Sequence, residues 1–215
     1  MGKALSIARS ELILGGQKSG KSRRAELLAR DWLAQSASHH AVMIATAQPW
    51  DAEMRQRIAR HQADRAQRVP GMTTVEEPLQ LAEAIQAHSR ADTLIVVDCL
   101  TLWLTNCLMP AESELASDTP RDVPSQADTS QEFIKNQPLA LMNKGRVALL
   151  LKAIDQAKGP LVLVGNEIGL GVIPMGREVR AFVDALGLLN QSVAGACQRV
   201  TLMAAGLPLT LKDET

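Results

Sequence analysis

Residues 15–22 read Gly-Gly-Gln-Lys-Ser-Gly-Lys-Ser, preceded by the apolar run Leu12-Ile13-Leu14 and followed by the helix-forming stretch Arg24-Ala25-Glu26-Leu27-Leu28-Ala29. The pattern G-x-x-x-x-G-K-[ST] between a strand and a helix predicts a loop whose backbone N–H groups converge on phosphate oxygens. The positive end of the following helix dipole points at the same place. Lys21 is then placed to reach the β- and γ-phosphates of a nucleoside triphosphate, and the Ser22 hydroxyl to ligate Mg²⁺. Gly15, Gly16, Gln17, Lys18, Ser19 and Gly20 complete the cradle. A Gly- and Ser-rich surface turn is the alternative, and the flanking strand and helix argue against it.

Working outward, further apolar runs recur between helical stretches: Val42 to Thr46, Thr93 to Val97, Leu161 to Val164 and Val200 to Met203. Continuous apolar strands alternating with helices predict a parallel sheet covered on both faces. The run Leu207 to Leu211 follows Val200 to Met203 after a short turn and reads as a closing hairpin. Helices are expected over Lys21 to Gln35, Asp51 to Arg68, Pro78 to Ser89, Leu100 to Leu108, Leu139 to Lys158 and Arg177 to Cys197. Pro110 to Pro138, rich in Pro, Ser, Asp, Thr and Gln, interrupts the pattern and reads as a solvated loop or a flexible lid inserted into one domain spanning residues 1–215.

Composition narrows the partners. Lys plus Arg number 23 and Asp plus Glu number 23, so phosphate affinity must be local rather than a property of the whole surface. Aromatic residues make up 2% and Tyr is absent, which argues against base-stacking platforms and hence against a nucleic-acid partner. The 3 cysteines, Cys99, Cys107 and Cys197, form no C-x-x-C pair, so neither a disulfide framework nor a zinc site is indicated, and a reducing cytoplasm is the simplest compartment. No apolar run reaches the length of a membrane span, and the segment before Glu11 is too short for a secretory core.

Ligands of open α/β sheets sit beyond the carboxyl ends of the strands, so those ends hold the candidate chemistry. Asp98, after Leu94-Ile95-Val96-Val97, occupies the place of an acid that holds Mg²⁺; capping the helix that begins at Leu100 is its other reading. Glu53, Arg57, His61 and Arg65 recur at helical spacing and form one polar stripe, with His61 between two arginines. That setting suits a triphosphate held against an imidazole, although a His on a solvated helix is commonly just a surface residue. Glu76 and Glu77 end a short β-like run and equally suit the first turn of a helix.

The phosphate loop, Ile44-Ala45-Thr46-Ala47, the array Asp51-x-Glu53-Met54-x-x-Arg57-Ile58-x-x-His61-x-x-x-Arg65, Thr74-Val75-Glu76-Glu77-Pro78, Asp98 to Asn106, Asn166 to Pro174, and Phe182-x-Asp184-x-x-Gly187-x-x-Asn190-Gln191 occur in this order. Together they resemble the bifunctional adenosylcobinamide kinase / adenosylcobinamide-phosphate guanylyltransferase family of cobalamin biosynthesis. The resemblance implies an α/β fold of the P-loop NTPase (RecA-like) kind, a doubly wound, mostly parallel sheet with helices on both faces and a C-terminal hairpin. It implies phosphorylation of adenosylcobinamide by ATP or GTP, then transfer of GMP from GTP to adenosylcobinamide phosphate through a covalent GMP–histidine that falls on His61. It further implies that Ala45, Thr46, Ala47, Gln62, Ala63, Asp64, Arg65, Glu76 and Asp98 line the guanine nucleotide, that Ser22 and Asp98 hold Mg²⁺, and that the assembly is a homotrimer. Lys18, Val183 and Leu188 stand where the family commonly has arginine.

Overall fold

The computed structural model describes residues 5–49, 52–109, 144–172 and 174–215, and for Arg57 the backbone alone. In chain order the elements are β1 (Ser10–Gly15), α1 (Lys21–Leu33), β2 (His40–Ala45), α2 (Ala52–Arg68), β3 (Thr73–Glu76), α3 (Leu81–His88), β4 (Thr93–Asp98), α4 (Leu100–Leu108), α5 (144–155), β5 (Leu161–Val164), α6 (Arg177–Ala196), β6 (Arg199–Ala204) and β7 (Leu207–Asp213). The strands form one 7-stranded sheet in the order β3-β2-β4-β5-β1-β6-β7. Every pairing is parallel except β6 with β7, the expected C-terminal hairpin.

Alternation along each strand decides which helix covers which face. Leu12, Leu14, Val42, Ile44, Ile95, Val97, Leu161 and Leu163 pack with Leu81 and Ile85 of α3, Trp103 and Leu104 of α4, Leu150 and Ile154 of α5, and Leu189 and Val193 of α6. Ile13, Ala41, Met43, Leu94, Val96, Val162 and Val164 pack on the other face with Ala25, Leu28 and Ala29 of α1 and with Val69, just beyond α2. Each large apolar side chain removed from water in this way contributes roughly 1.5–3 kcal/mol. Polar groups are thereby confined to strand ends unless paired. Glu11 within β1 is such a paired group: its carboxylate is 1% exposed, meets Arg24 at 3.0 Å and Arg199 at 3.7 Å, and accepts the Thr201 hydroxyl at 2.8 Å.

Some boundaries differ from the sequence expectation, each for a local reason. The third helix begins at Leu81 rather than Pro78, because the Glu77 carboxylate accepts the N–H groups of Leu79 and Gln80 at 3.0 and 2.8 Å and holds that stretch as a turn. The fifth ends at 155 rather than 158, ahead of the turn at Gly159-Pro160. A Cβ at Gly159 would collide with the carbonyl oxygens of Arg90 and Thr93, so this turn is pressed backbone to backbone beneath the start of β4. Pro160 then gives its carbonyl to Ile95 N–H at 2.9 Å, which fixes where β5 starts. The start expected at Asp51, the first part of the helix expected from Leu139, and the Pro110 to Pro138 insertion lie outside the described residues.

Candidate nucleotide site at the carboxyl end of the sheet

The phosphate loop leaves β1 at Gly15, whose φ is +152° and whose absent side chain leaves room for the Met203 carbonyl of the neighbouring strand. Any larger residue would have to push β6 aside, so glycine here follows from packing as much as from ligand approach. Gly16, Gln17 and Lys18 are exposed at the tip, while Ser19 and Lys21 are buried. The Lys21 ammonium donates to the Gly16 carbonyl oxygen at 2.6 Å, folded over its own loop. Burial lowers its pKa, opposed by the nearby Cys99 and Asp98.

Asp98 closes β4 beside this loop. Its carboxylate accepts a hydrogen bond from the Ser22 hydroxyl and lies in the field of His61, Arg65 and Lys21. Burial raises its pKa, partly opposed by those three side chains and by the Ser22 hydrogen bond. The cap position of α4 is Cys99, with no side-chain cap, so Asp98 faces the loop and is not spent on the helix that follows. Two hard oxygen donors, a carboxylate and a hydroxyl, therefore adjoin a phosphate cradle, a set that fits Mg²⁺ sharing its remaining ligands with phosphate and water. Among the described residues there is no group of 3 or more His, Cys, Asp or Glu that would hold a metal unaided.

His61 projects from α2 and is exposed, whereas Arg65, one turn on, is 7% exposed. Both reach Asp98 electrostatically, so the His61–Arg65 turn of α2 faces the end of β4. Arg68 ties the helix to α1 through the nearly buried Glu26 at 2.9 Å, with Asp64 at 3.4 Å. At the far edge Gln62 donates to Glu76 at 3.3 Å across the end of β3. Glu76 and Glu77 thus divide the two roles open in the sequence: the first faces the crevice helix, the second holds the turn before α3.

Thr46 is fully buried. Its hydroxyl donates to the Cys99 carbonyl at 2.8 Å and accepts from the Cys99 N–H at 2.9 Å, while its own N–H donates to the Asp98 carbonyl at 3.0 Å. The Asn106 amide, from α4, donates to the Thr46 carbonyl at 2.8 Å. Thr46 therefore locks the end of β2 to the end of β4 and leaves Ala45 and Ala47, both partly exposed, as the crevice surface of that segment.

With this geometry in view, the model of one protein family, cobinamide kinase / cobinamide phosphate guanyltransferase, matches residues 11–211. The chain belongs to this family. Among curated relatives, the bifunctional adenosylcobalamin biosynthesis protein CobP of Pseudomonas aeruginosa is 42% identical over 95% of this chain and 98% of its own length. The bifunctional adenosylcobalamin biosynthesis protein CobU of Escherichia coli is 31% identical over 94% of this chain and 98% of its own. Among solved structures, the flagellar accessory protein FlaH from Methanocaldococcus jannaschii covers 96% of this chain and 79% of that chain at 11% identity, with a TM-score of 0.45.

In this member of the family, Lys21, Ser22, His61, Arg65 and Asp98 converge at one end of the sheet. Ala63 is exposed on α2, and Asp64 is held by Arg68. Sequence reasoning passed over the internal work of Thr46 and over Glu167, which follows β5 and whose N–H donates to the Gly15 carbonyl at 3.1 Å. An acid three residues beyond the apolar run of β5 was the signal available. The remaining histidines are placed elsewhere: His39 stacks on Trp32 with ring centroids 3.7 Å apart, His40 opens β2, and His88 ends α3.

Proposed function

We propose that the chain phosphorylates adenosylcobinamide with a nucleoside triphosphate and then transfers GMP from GTP to adenosylcobinamide phosphate by way of a GMP–His61 adduct. The observation that carries this reading is the convergence of Lys21, Ser22, His61 and Arg65 on Asp98, which gives one triphosphate site both a cation over the loop and a nucleophile on the opposing helix. In the guanylyl step an imidazole nitrogen of His61 attacks the α-phosphorus of GTP and forms an N–P bond as the bond to the bridging oxygen breaks and pyrophosphate leaves. The phosphate oxygen of adenosylcobinamide phosphate then attacks the same phosphorus and releases the imidazole, so two easier displacements replace one harder step.

Lys21 and the loop amides neutralise charge on the phosphates, and Arg65 does so from the α2 side. Gly15 to Ser22 cradle the phosphates, while Ala45, Ala47, Gln62, Ala63, Asp64 and Glu76 border the guanosine, Thr46 holding that border from inside. Ser22 and Asp98 would hold Mg²⁺, which would supply further charge neutralisation at the phosphates. ATP and GTP both fit a loop that grips only phosphates. The row of exposed Leu207, Leu209 and Leu211 on β7 supports contact between copies, consistent with a homotrimer.

The test is labelling with α-labelled GTP. The protein takes up acid-labile, alkali-stable label, and His61→Ala abolishes it. Label persisting in that variant refutes the adduct on His61. Label absent from the unaltered protein while γ-label reaches an alcohol makes it a kinase without a covalent nucleotidyl step.

A further inference from the structure

β5 is the strand between β1 and β4, so the chain leaving it passes between the phosphate loop and Asp98. Val164 lies opposite Ile13 on one side and opposite Asp98 on the other. Contact with β1 continues past the ladder: Gly165 N–H donates to the Ile13 carbonyl at 3.0 Å and Glu167 N–H to the Gly15 carbonyl at 3.1 Å. The backbone of Glu167 is thereby fastened to the first residue of the loop.

Its side chain is held from two directions. Oε1 accepts the Gly169 N–H at 2.9 Å, and Oε2 faces the Asn190 amide nitrogen at 3.4 Å. That nitrogen also donates to the Asn166 carbonyl at 3.1 Å. Asn190, on α6, is 4% exposed, and its Oδ1 has no hydrogen-bond partner among the described residues, so its side-chain hydrogen bonds there are made by the nitrogen that grips this segment. The other carboxylates at this edge are committed: Asp98 to Ser22, Glu76 to Gln62, and Glu77 to the turn before α3. Among the described residues no ion pair engages Glu167. Ile168, Leu170 and Val172 follow it and are exposed, a surface suited to an acceptor whose reacting hydroxyl hangs from a large apolar body.

We propose that Glu167 is the base of the phosphorylation step and that Asn190 is its positioning residue; the proposal rests on the kinase reading above. The Glu167 carboxylate takes the proton of the acceptor alcohol as the alcohol oxygen bonds to the γ-phosphorus. The bond from that phosphorus to the β–γ bridging oxygen breaks, and the nucleoside diphosphate leaves with the electron pair.

The experiment follows γ-labelled GTP into adenosylcobinamide and, in parallel, α-labelled GTP into the protein. Glu167→Gln lowers kcat for phosphorylation on the order of 10²-fold or more, the usual range for a lost general base. KM for the nucleotide stays within about twofold, since an interaction made mainly in the transition state is removed. Glu167→Asp restores part of the rate, Asn190→Ala gives a smaller loss in kcat alone, and the Gln variant still forms the His61 adduct. Wild-type kcat in Glu167→Gln overturns the proposal. So does joint loss of phosphorylation and adduct in both Glu167 variants, which makes the residue part of the nucleotide site or the fold. Failure of the unaltered protein to phosphorylate the corrinoid overturns the kinase reading itself, and this proposal with it.

Discussion

Thr46→Val tests whether the crevice is held open by a buried hydroxyl. Valine keeps the shape but puts a methyl group in place of the hydroxyl, whose two partners are the carbonyl and N–H of Cys99 at 2.8 and 2.9 Å. The carbonyl retains a second bond, from Trp103 N–H at 3.1 Å, but the described residues offer the Cys99 N–H no other acceptor. A buried donor left without a partner costs about 1–3 kcal/mol, and the lost hydroxyl bond adds about 1 kcal/mol. The sum, roughly 2–4 kcal/mol, is a large part of the stability of a typical domain. At about 2–4 °C per kcal/mol for a chain of this size, Tm falls by roughly 5–15 °C. Thr46→Ser keeps the hydroxyl and loses one methyl, costing about 1 kcal/mol. Urea unfolding reads the difference: the midpoint of the Val variant drops with the slope unchanged, and that of the Ser variant drops less. Because Asp98 shares the disturbed junction, GTP labelling in the Val variant falls further than the unfolded fraction accounts for. A Val variant within about 0.5 kcal/mol of the unaltered protein, or a Ser variant equally unstable, refutes the reasoning.

Three further outcomes are expected. Lys21→Met impairs both phosphorylation and guanylylation by on the order of 10²-fold or more, because one loop holds the triphosphate for both; loss of one activity alone, measured with γ- and α-labelled GTP, would separate the sites. Burial raises the thiols of Cys99 to about 11 and Cys197 to about 12, and raises Cys107 as well, so the folded protein shows no rapidly reacting thiol toward an aromatic disulfide at pH 8, whereas all 3 react in guanidinium. Since an unfolded thiol ionises near pH 8.5, these groups favour the folded state below that pH and lose their contribution as pH rises toward 11 to 12.

The middle of the sheet was legible because β2, β4 and β5 carry uninterrupted apolar runs buried on both faces, and because the phosphate-loop pattern fixes the first strand, turn and helix together. Asp98 was legible as the polar residue ending such a run. What the sequence could not convey was spatial order. β5 follows β4 in the chain yet lies between β4 and β1, and only that placement brings Glu167 to the loop. The same holds for Thr46, whose partner Cys99 is remote in sequence and whose buried hydroxyl reads, one-dimensionally, like any threonine at a strand end. Helix boundaries slipped where a side chain intervened, as Glu77 does before α3.

Gly159 lies at the opposite end of the sheet from the crevice, yet it governs how far Glu167 extends into it. The glycine is wedged under the carbonyls of Arg90 and Thr93, and Glu167 is pinned to Gly15, so the chain between them is a gauge clamped at both ends. One residue more or fewer within it would shift the carboxylate by about 3.3 Å and turn the strand's side chains to the wrong faces. The reach of an acid at the mouth of the molecule is thus set by a residue with no side chain at its base.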